Sequence, residues 1–138
     1  MKKIFYSLMA CLMSLSCQGK KSNPEQAQAP ETFRSISVGE FAKVMADTNV
    51  VVLDVRTLEE HTAGHIDGTT LHIDVLRPDF DSLAVAKIKE GSTVALYCRS
   101  GNRSKRAASS LSAKGYRVFE LATGYNGWVK EHEAKAEE

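Results

Sequence analysis

The chain has 138 residues, of which 43% are hydrophobic and 25% are charged, and its formal net charge is +1. This length and composition are typical of one globular domain and argue against a disordered or fibrous protein. The near-neutral charge gives no electrostatic support for wholesale binding of nucleic acid.

The first 17 residues have the pattern of a targeting signal. Lys2 and Lys3 supply a positive start, and residues 4–15 form an apolar stretch that is shorter than the roughly 20 residues needed to span a bilayer. The stretch ends in SLSC, which resembles the lipobox of bacterial lipoproteins and makes Cys17 the expected lipidation site, with Cys11 as the alternative. We therefore expect an exported protein, tethered to a membrane by lipid on its periplasmic side. The alternatives are an ordinary cleaved signal, which gives a soluble periplasmic protein, and an uncleaved anchor.

A polar segment separates this signal from the folded part of the chain. Residues 18–31 contain two prolines and no hydrophobic periodicity, which is typical of a flexible tether. Hydrophobic periodicity begins after them. The domain is therefore predicted over residues 32–133, followed by a charged tail over residues 134–138.

Helices and strands are predicted to alternate along this domain. SVGE at 37–40 and TLEE at 57–60 have the capping-box form, which predicts that a helix begins at each. VVVLDV at 50–55 and TVALYC at 93–98 are short apolar runs, typical of strands buried on both faces. In chain order the predicted elements are a helix from residue 37, a strand over 50–55, a short helix that ends at Gly64, a weaker strand over 71–73, a helix over 80–88, a strand over 93–98, a helix over 102–114, a strand over 116–121 and a helix over 124–132.

The alternation of strands and helices predicts the fold class. It implies an α/β domain with a mainly parallel central sheet and helices on both of its faces. In such sheets, ligands bind at the carboxyl ends of the strands. Cys98 ends the second buried strand, so the sequence places it at that edge.

The number of cysteines makes Cys98 a candidate for chemistry. The chain has three cysteines, and two of them, Cys11 and Cys17, lie in the signal. An exported protein usually pairs its cysteines, whereas Cys98 has no partner within the domain. It is therefore either a buried filler or a reagent.

The residues after Cys98 favour the second interpretation. The loop must turn sharply into the next helix, and such a turn gathers backbone N–H groups into an anion-binding nest. Two arginines add positive charge nearby, so we expect the pKa of the thiol to be lowered. The residues predicted to line this loop are Arg99, Ser100, Gly101, Asn102, Arg103 and Ser104. One cysteine with scattered histidines is poor support for zinc, and no metal site is predicted.

Four motifs, in this order, resemble the rhodanese-like sulfurtransferases over nearly the whole domain. They are LDVR at 53–56, GHIDGT at 64–69, CRSGNRS at 98–104 and TGYNGW at 123–128. The resemblance implies a parallel-sheet α/β fold and a ping-pong reaction with Cys98 as the catalytic residue. A small anionic donor such as thiosulfate passes a sulfur atom to Cys98, and cyanide or a thiol removes it. The covalent persulfide, held by the loop N–H groups, is the intermediate, and no other cofactor is implied.

Two other functions remain open. One is a sulfur-carrier or redox interaction module with little turnover. The other is a cysteine-based phosphatase or arsenate reductase. The loop has the spacing C-x4-R, whereas cysteine phosphatases resemble C-x5-R, whose wider loop suits a tetrahedral anion. The tighter loop favours a single added sulfur.

Three further residues are predicted to support the site. Asp54 and Arg56 follow a buried strand, where they either face the rim near Cys98 or cap a helix and pair with Glu59 or Glu60. His65, in the GHI segment, resembles a family position that holds a turn by hydrogen bonds. The sequence leaves the role of Tyr125 open, along with the physiological donor and acceptor. We expect a monomer.

Overall fold

A computed structural model describes residues 33–138, and these residues form five strands and five helices. The strands are β1 (Phe33–Ile36), β2 (Val51–Asp54), β3 (Leu71–His72), β4 (Thr93–Tyr97) and β5 (Arg117–Leu121). The helices are α1 (Val38–Met45), α2 (Leu58–Ala63), α3 (Phe80–Lys87), α4 (Asn102–Ala113) and α5 (Gly124–Ala136).

The strands form one parallel sheet in the order β1-β5-β4-β2-β3. Strand β4 is central, with Leu96 opposite Glu120 of β5 and Tyr97 opposite Asp54 of β2. Because all strands run the same way, their carboxyl ends meet at one edge. Cys98 follows β4 and so lies in the middle of that edge.

Helices cover both faces of the sheet, which confirms the predicted fold class. One core packs α3 and α4 against the sheet, through Phe80 and Ala84 on the first helix and Ala107 and Leu111 on the second. The other core packs α1 against the opposite face through Val38 and Phe41, with Trp128 of α5 alongside. Buried apolar area on both sides fixes the sheet between two helical layers.

Both predicted capping boxes are present. Ser37 and Thr57 each accept a bond from the backbone three residues on, and Glu40 and Glu60 reach back to the cap backbone. Each box pairs backbone donors that the first helical turn would otherwise leave unpaired.

One strand was not predicted, and several element ends differ from the prediction. Strand β1 was not predicted, because it lies at the edge of the sheet and only Ile36 of its four residues is buried. Its identity as a strand comes from pairing with β5, which a local pattern does not reveal. Helix α5 continues to Ala136, beyond the predicted ends of the helix at residue 132 and of the domain at residue 133.

The predicted signal, the lipidation at Cys17 or Cys11 and nearly all of the tether fall on residues 1–32, which lie outside the described residues, and they stay predictions. Among residues 33–138, no helix is long and apolar enough to cross a membrane.

Candidate active site

Cys98 lies at the carboxyl end of β4 with its side chain almost fully enclosed. The residue is 1% exposed and belongs to the core that includes Leu96 and Ala107. Its sulfur faces the start of α4, so the chain turns around it before the helix begins. The sulfur is therefore almost closed off from solvent.

Hydrogen-bond donors of the loop converge on the sulfur. The Gly101 N–H donates to the Cys98 Sγ at 3.1 Å, and the Ser104 Oγ lies 3.4 Å from it. Burial raises the pKa of the Cys98 thiol, but the hydrogen bond with the Ser104 side chain and those from the amides of Ser104, Gly101 and Ser100 outweigh it, and the pKa is lowered. The arrangement therefore favours the thiolate, which is the nucleophilic form.

The start of α5 holds the loop in this conformation. The N–H groups of Tyr125 and Asn126 donate to the carbonyls of Cys98 and Arg99 at 2.8 and 3.0 Å. On the other side, the Lys105 Nζ donates to the Gly101 carbonyl at 3.2 Å. Because the carbonyls are bound outside the loop, the amide hydrogens point inward at the sulfur.

Gly101 is required by this geometry. Its φ is +102°, and a Cβ atom there would lie 2.3 Å from the Ala122 carbonyl oxygen. The loop therefore adopts a left-handed turn that L side chains rarely occupy, directly against the chain that leads into α5.

Arg103 lies within electrostatic reach of Cys98, and its charge is shared with a carboxylate. Its guanidinium makes two bonds of 2.7 Å to the carboxylate of Glu60 on α2. This bidentate pair largely neutralises its charge and clamps α4 to α2. The Glu60 pairing raises the pKa of Arg103 and lowers that of Glu60 to about 2. Backbone and hydroxyl donors, more than guanidinium charge, stabilise the thiolate.

Glu60→Gln is expected to reduce the fall in the free energy of unfolding that the protein shows as the pH drops from 4.5 towards 2. The pKa of Glu60 falls from 4.5 to about 2 in the folded state, so its contribution to stability is present above pH 4.5 and is lost as the pH falls towards 2. Both side chains are partly exposed, and the loss at neutral pH should stay within about 1 kcal/mol. Urea unfolding between pH 2 and 7 measures it. Glu59→Gln, on the exposed face of the same helix, is the matched control, and an equal effect of both variants would contradict the assignment.

Arg99 and the remaining predicted loop residues occupy the mouth and the outside of the loop. Arg99 lines a shallow pocket of about 250 Å³, together with Arg56, Glu60, Tyr125 and neighbouring backbone. Ser100 and Asn102 are exposed. Two arginines, Arg56 and Arg99, therefore line a pocket beside the loop.

Asp54 and Arg56 form a buried ion pair, as structural support. They are 0% and 3% exposed, and the Arg56 side chain donates to Asp54 at 2.7 Å and to the Gly64 carbonyl at 2.7 Å. Arg56 thus pairs with Asp54 and not with Glu59 or Glu60, of which Glu60 binds Arg103. The Arg56 guanidinium also lies 4.3 Å from the centre of the Tyr125 ring, which joins β2 to α5 by a cation–π contact. Tyr125 is thereby a wall of the pocket.

A histidine stack flanks this ion pair. The ring of His61 lies between those of His65 and His72, with centroid distances of 4.2 and 4.4 Å. The His61 Nδ1 is 2.9 Å from Asp54, and the His65 Nδ1 is 3.0 Å from the His61 carbonyl, which is a local hydrogen bond of the kind that the resemblance implied for His65. Within residues 33–138, no group of three or more His, Cys, Asp or Glu side chains is arranged to hold a metal ion.

Sequence reasoning missed the second role of Glu60 and the role of Glu120. Glu60 already completed a capping box, so nothing local indicated a bond to a residue 43 positions away. Glu120 did carry a signal, since it is a carboxylate within the apolar strand YRVFEL. It is 0% exposed and accepts a hydrogen bond from Ser104, beside the sulfur.

Comparison with known proteins gives the family. The family model of the rhodanese-like domain matches residues 37–131. A sulfurtransferase of Allochromatium vinosum is 34% identical, over 62% of this chain and 78% of its own length. A Bacillus subtilis protein provisionally named a sulfur carrier, YrkF, is 29% identical over 80% of this chain, which spans only 57% of the length of that relative. The structure of a human single-domain sulfurtransferase, TSTD1, is 27% identical and covers 70% of this chain and 96% of its own, with a TM-score of 0.56. The chain belongs to the rhodanese-like domain family.

Proposed function

We propose that this protein is a sulfurtransferase that carries a sulfur atom on Cys98 between a small anionic donor and a thiophilic acceptor. With thiosulfate as donor, the Cys98 thiolate attacks the outer sulfur and forms a new S–S bond. The S–S bond of thiosulfate breaks, and its electron pair leaves with sulfite. Cyanide or a thiolate then attacks the terminal sulfur of the persulfide and regenerates the Cys98 thiolate.

The ring of donors around one sulfur is the observation that carries this proposal. An N–H at 3.1 Å and a hydroxyl at 3.4 Å face the Cys98 Sγ, with two more loop amides close by. These groups stabilise the attacking thiolate, and they are placed to bind the negative charge of a persulfide. The almost complete burial of Cys98 suits a donor that offers one protruding sulfur atom.

Incubation with thiosulfate is expected to add the mass of one sulfur atom to the protein. Intact-mass spectrometry, followed by mapping of the peptide that contains Cys98, measures the addition. Cyanide should then restore the original mass and release thiocyanate. Cys98→Ser is expected to gain nothing, since its hydroxyl is not ionised near neutral pH.

The same assay separates the other two functions. A persulfide that forms but is not removed by cyanide or small thiols would favour a sulfur carrier that awaits a protein partner. An unchanged mass, together with hydrolysis of a phosphate ester or reduction of arsenate, would overturn sulfur transfer. The bidentate bond of Arg103 to Glu60 counts against that outcome, because it holds the arginine of C-x4-R away from the role of binding a tetrahedral anion.

A further inference from the structure

The buried carboxylate of Glu120 shares a hydroxyl with the nucleophile. Ser104 Oγ lies 3.0 Å from Glu120 Oε1 and 3.4 Å from the Cys98 Sγ. A serine hydroxyl has a single proton to donate. It therefore donates to the carboxylate or to the sulfur, and never to both at once.

Two other side chains donate hydrogen bonds to the Glu120 carboxylate besides Ser104. Ser35 of β1 donates to Oε2 at 2.8 Å, and Lys105 of α4 donates to Oε1 at 3.0 Å. The Glu120 side chain is 0% exposed, whereas Lys105 is 49% exposed. A carboxylate with an ammonium and a second hydroxyl still bound tolerates the temporary loss of one donor.

We propose that Glu120 is a positioning residue that competes with the sulfur of Cys98 for the hydroxyl of Ser104. While Cys98 is a thiol, its S–H donates to the Ser104 oxygen and the hydroxyl points to Glu120. When Cys98 loses its proton to a base in solvent, the S–H bond breaks, the O–H bond of Ser104 stays intact, and the hydroxyl rotates to the sulfur. Glu120 thereby holds back ionisation, and Lys105 moderates that effect.

Other charged groups around the sulfur do not share this hydroxyl. Glu60 is bound to Arg103 and Asp54 to Arg56, and each of these carboxylates therefore already faces a guanidinium. The charged or titratable groups that contact the Cys98 loop or one another beside it are Asp54 at the end of β2, Arg56 beyond it, Glu60 on α2, Asp74 after β3, Tyr97 at the end of β4, Arg99 in the loop, Arg103 and Lys105 on α4, Glu120 on β5 and Tyr125 on α5. Among the described residues, Glu120 is the only charged group that is linked to the Cys98 sulfur through a single hydroxyl, that of Ser104.

The pH dependence of alkylation tests the competition. Iodoacetamide reacts with the thiolate, and peptide mass spectrometry separates Cys98 from Cys11 and Cys17 in the full chain. Glu120→Gln is expected to lower the apparent pKa of Cys98 by about 0.5–1 pH unit, because a competing anion is removed. Glu131→Gln, which removes an exposed carboxylate of α5, should leave the profile unchanged.

A Ser104→Ala background distinguishes competition from a general charge effect. If Glu120 acts through the hydroxyl, the shift caused by Glu120→Gln falls to less than half once Ser104 is absent. An equal shift in both backgrounds, or no shift in the presence of Ser104, overturns the proposal.

A surface variant keeps the test decisive if Glu120→Gln does not fold. Ser35→Ala removes a donor to the Glu120 carboxylate without removing a hydrogen bond of the Cys98 loop. The carboxylate is then less compensated, so the apparent pKa of Cys98 should rise, and this rise should also shrink in Ser104→Ala. Equal rises in both backgrounds would again overturn the competition. The inference rests on the proposed nucleophilic role of Cys98. Its readout needs no sulfur donor, so its failure and the failure of persulfide formation are observed separately.

Discussion

Gly124→Ala is expected to unfold the loop around Cys98 and to abolish its reaction with thiosulfate. Gly124 has a φ of +63°, and a Cβ atom there would lie 2.5 Å from the Arg99 carbonyl oxygen and 2.7 Å from that of Cys98. These are the carbonyls that the first amides of α5 bind, so the methyl group would push apart the contact that turns the loop amides inward. Backbone strain and displacement together should cost about 3 kcal/mol or more.

Chemical denaturation and alkylation of Cys98 measure the two parts of this effect. We expect a lower denaturation midpoint and a thiol that titrates nearer to an ordinary cysteine. Gly39→Ala is the matched control, because no atom lies within 4 Å of its added Cβ and the position is inside α1. Alanine there should stabilise the helix by up to about 1 kcal/mol. A Gly124→Ala protein with the midpoint and thiol profile of the unchanged chain would show that the loop does not depend on this contact.

Asp54→Asn is expected to destabilise the whole domain by about 3–5 kcal/mol, the cost of leaving one partner of a buried pair uncompensated. The carboxylate accepts hydrogen bonds from Arg56, His61 and Tyr97, at distances between 2.7 and 3.2 Å. An amide has the same shape but carries no charge, and its NH₂ group faces donors instead of acceptors. Arg56, 3% exposed, would remain cationic without a counter-ion.

The acid dependence of this loss has a defined sign. Burial raises the pKa of Asp54, but bonds from Arg56 and His61 outweigh it, and the pKa is held below its ordinary value of 3.8. The contribution of Asp54 is therefore present above about pH 4 and lost as the pH falls through the lower, folded-state pKa. The difference between the two proteins should narrow in strong acid. Asp79→Asn, in the exposed pair with Arg77, is the control and should have no measurable effect. A similar loss in both variants would contradict the role of the buried pair.

The sequence predicted those helices and strands whose cause lies within a few neighbouring residues. The capping boxes at Ser37 and Thr57 and the apolar runs of β2 and β4 each contain their own structural cause within a few residues, so they were recognised. Strand β1 was not, because its cause is the pairing with β5, more than 80 residues away in the chain.

The features of the site also divide into those that the local sequence predicts and those that depend on distant residues. A strand followed by a tight loop with Gly101 identified Cys98 and the amides that surround it. The partners of Arg103 and of Ser104 were not identified, since each comes from an element distant in sequence. Charge on an arginine is visible in a sequence, whereas its neutralisation by Glu60 depends on how α2 packs against α4.

The pairing of β1 with β5 has a consequence for any shortened form of this protein. The family match begins at residue 37, one residue after β1 ends. A fragment trimmed to that boundary would lose Ser35, which holds one oxygen of Glu120, and would turn β5 into an unprotected sheet margin. The four residues of β1 therefore belong to the folded domain although they lie outside the family match. An expressed fragment without them should be less stable and should self-associate through the exposed edge of β5.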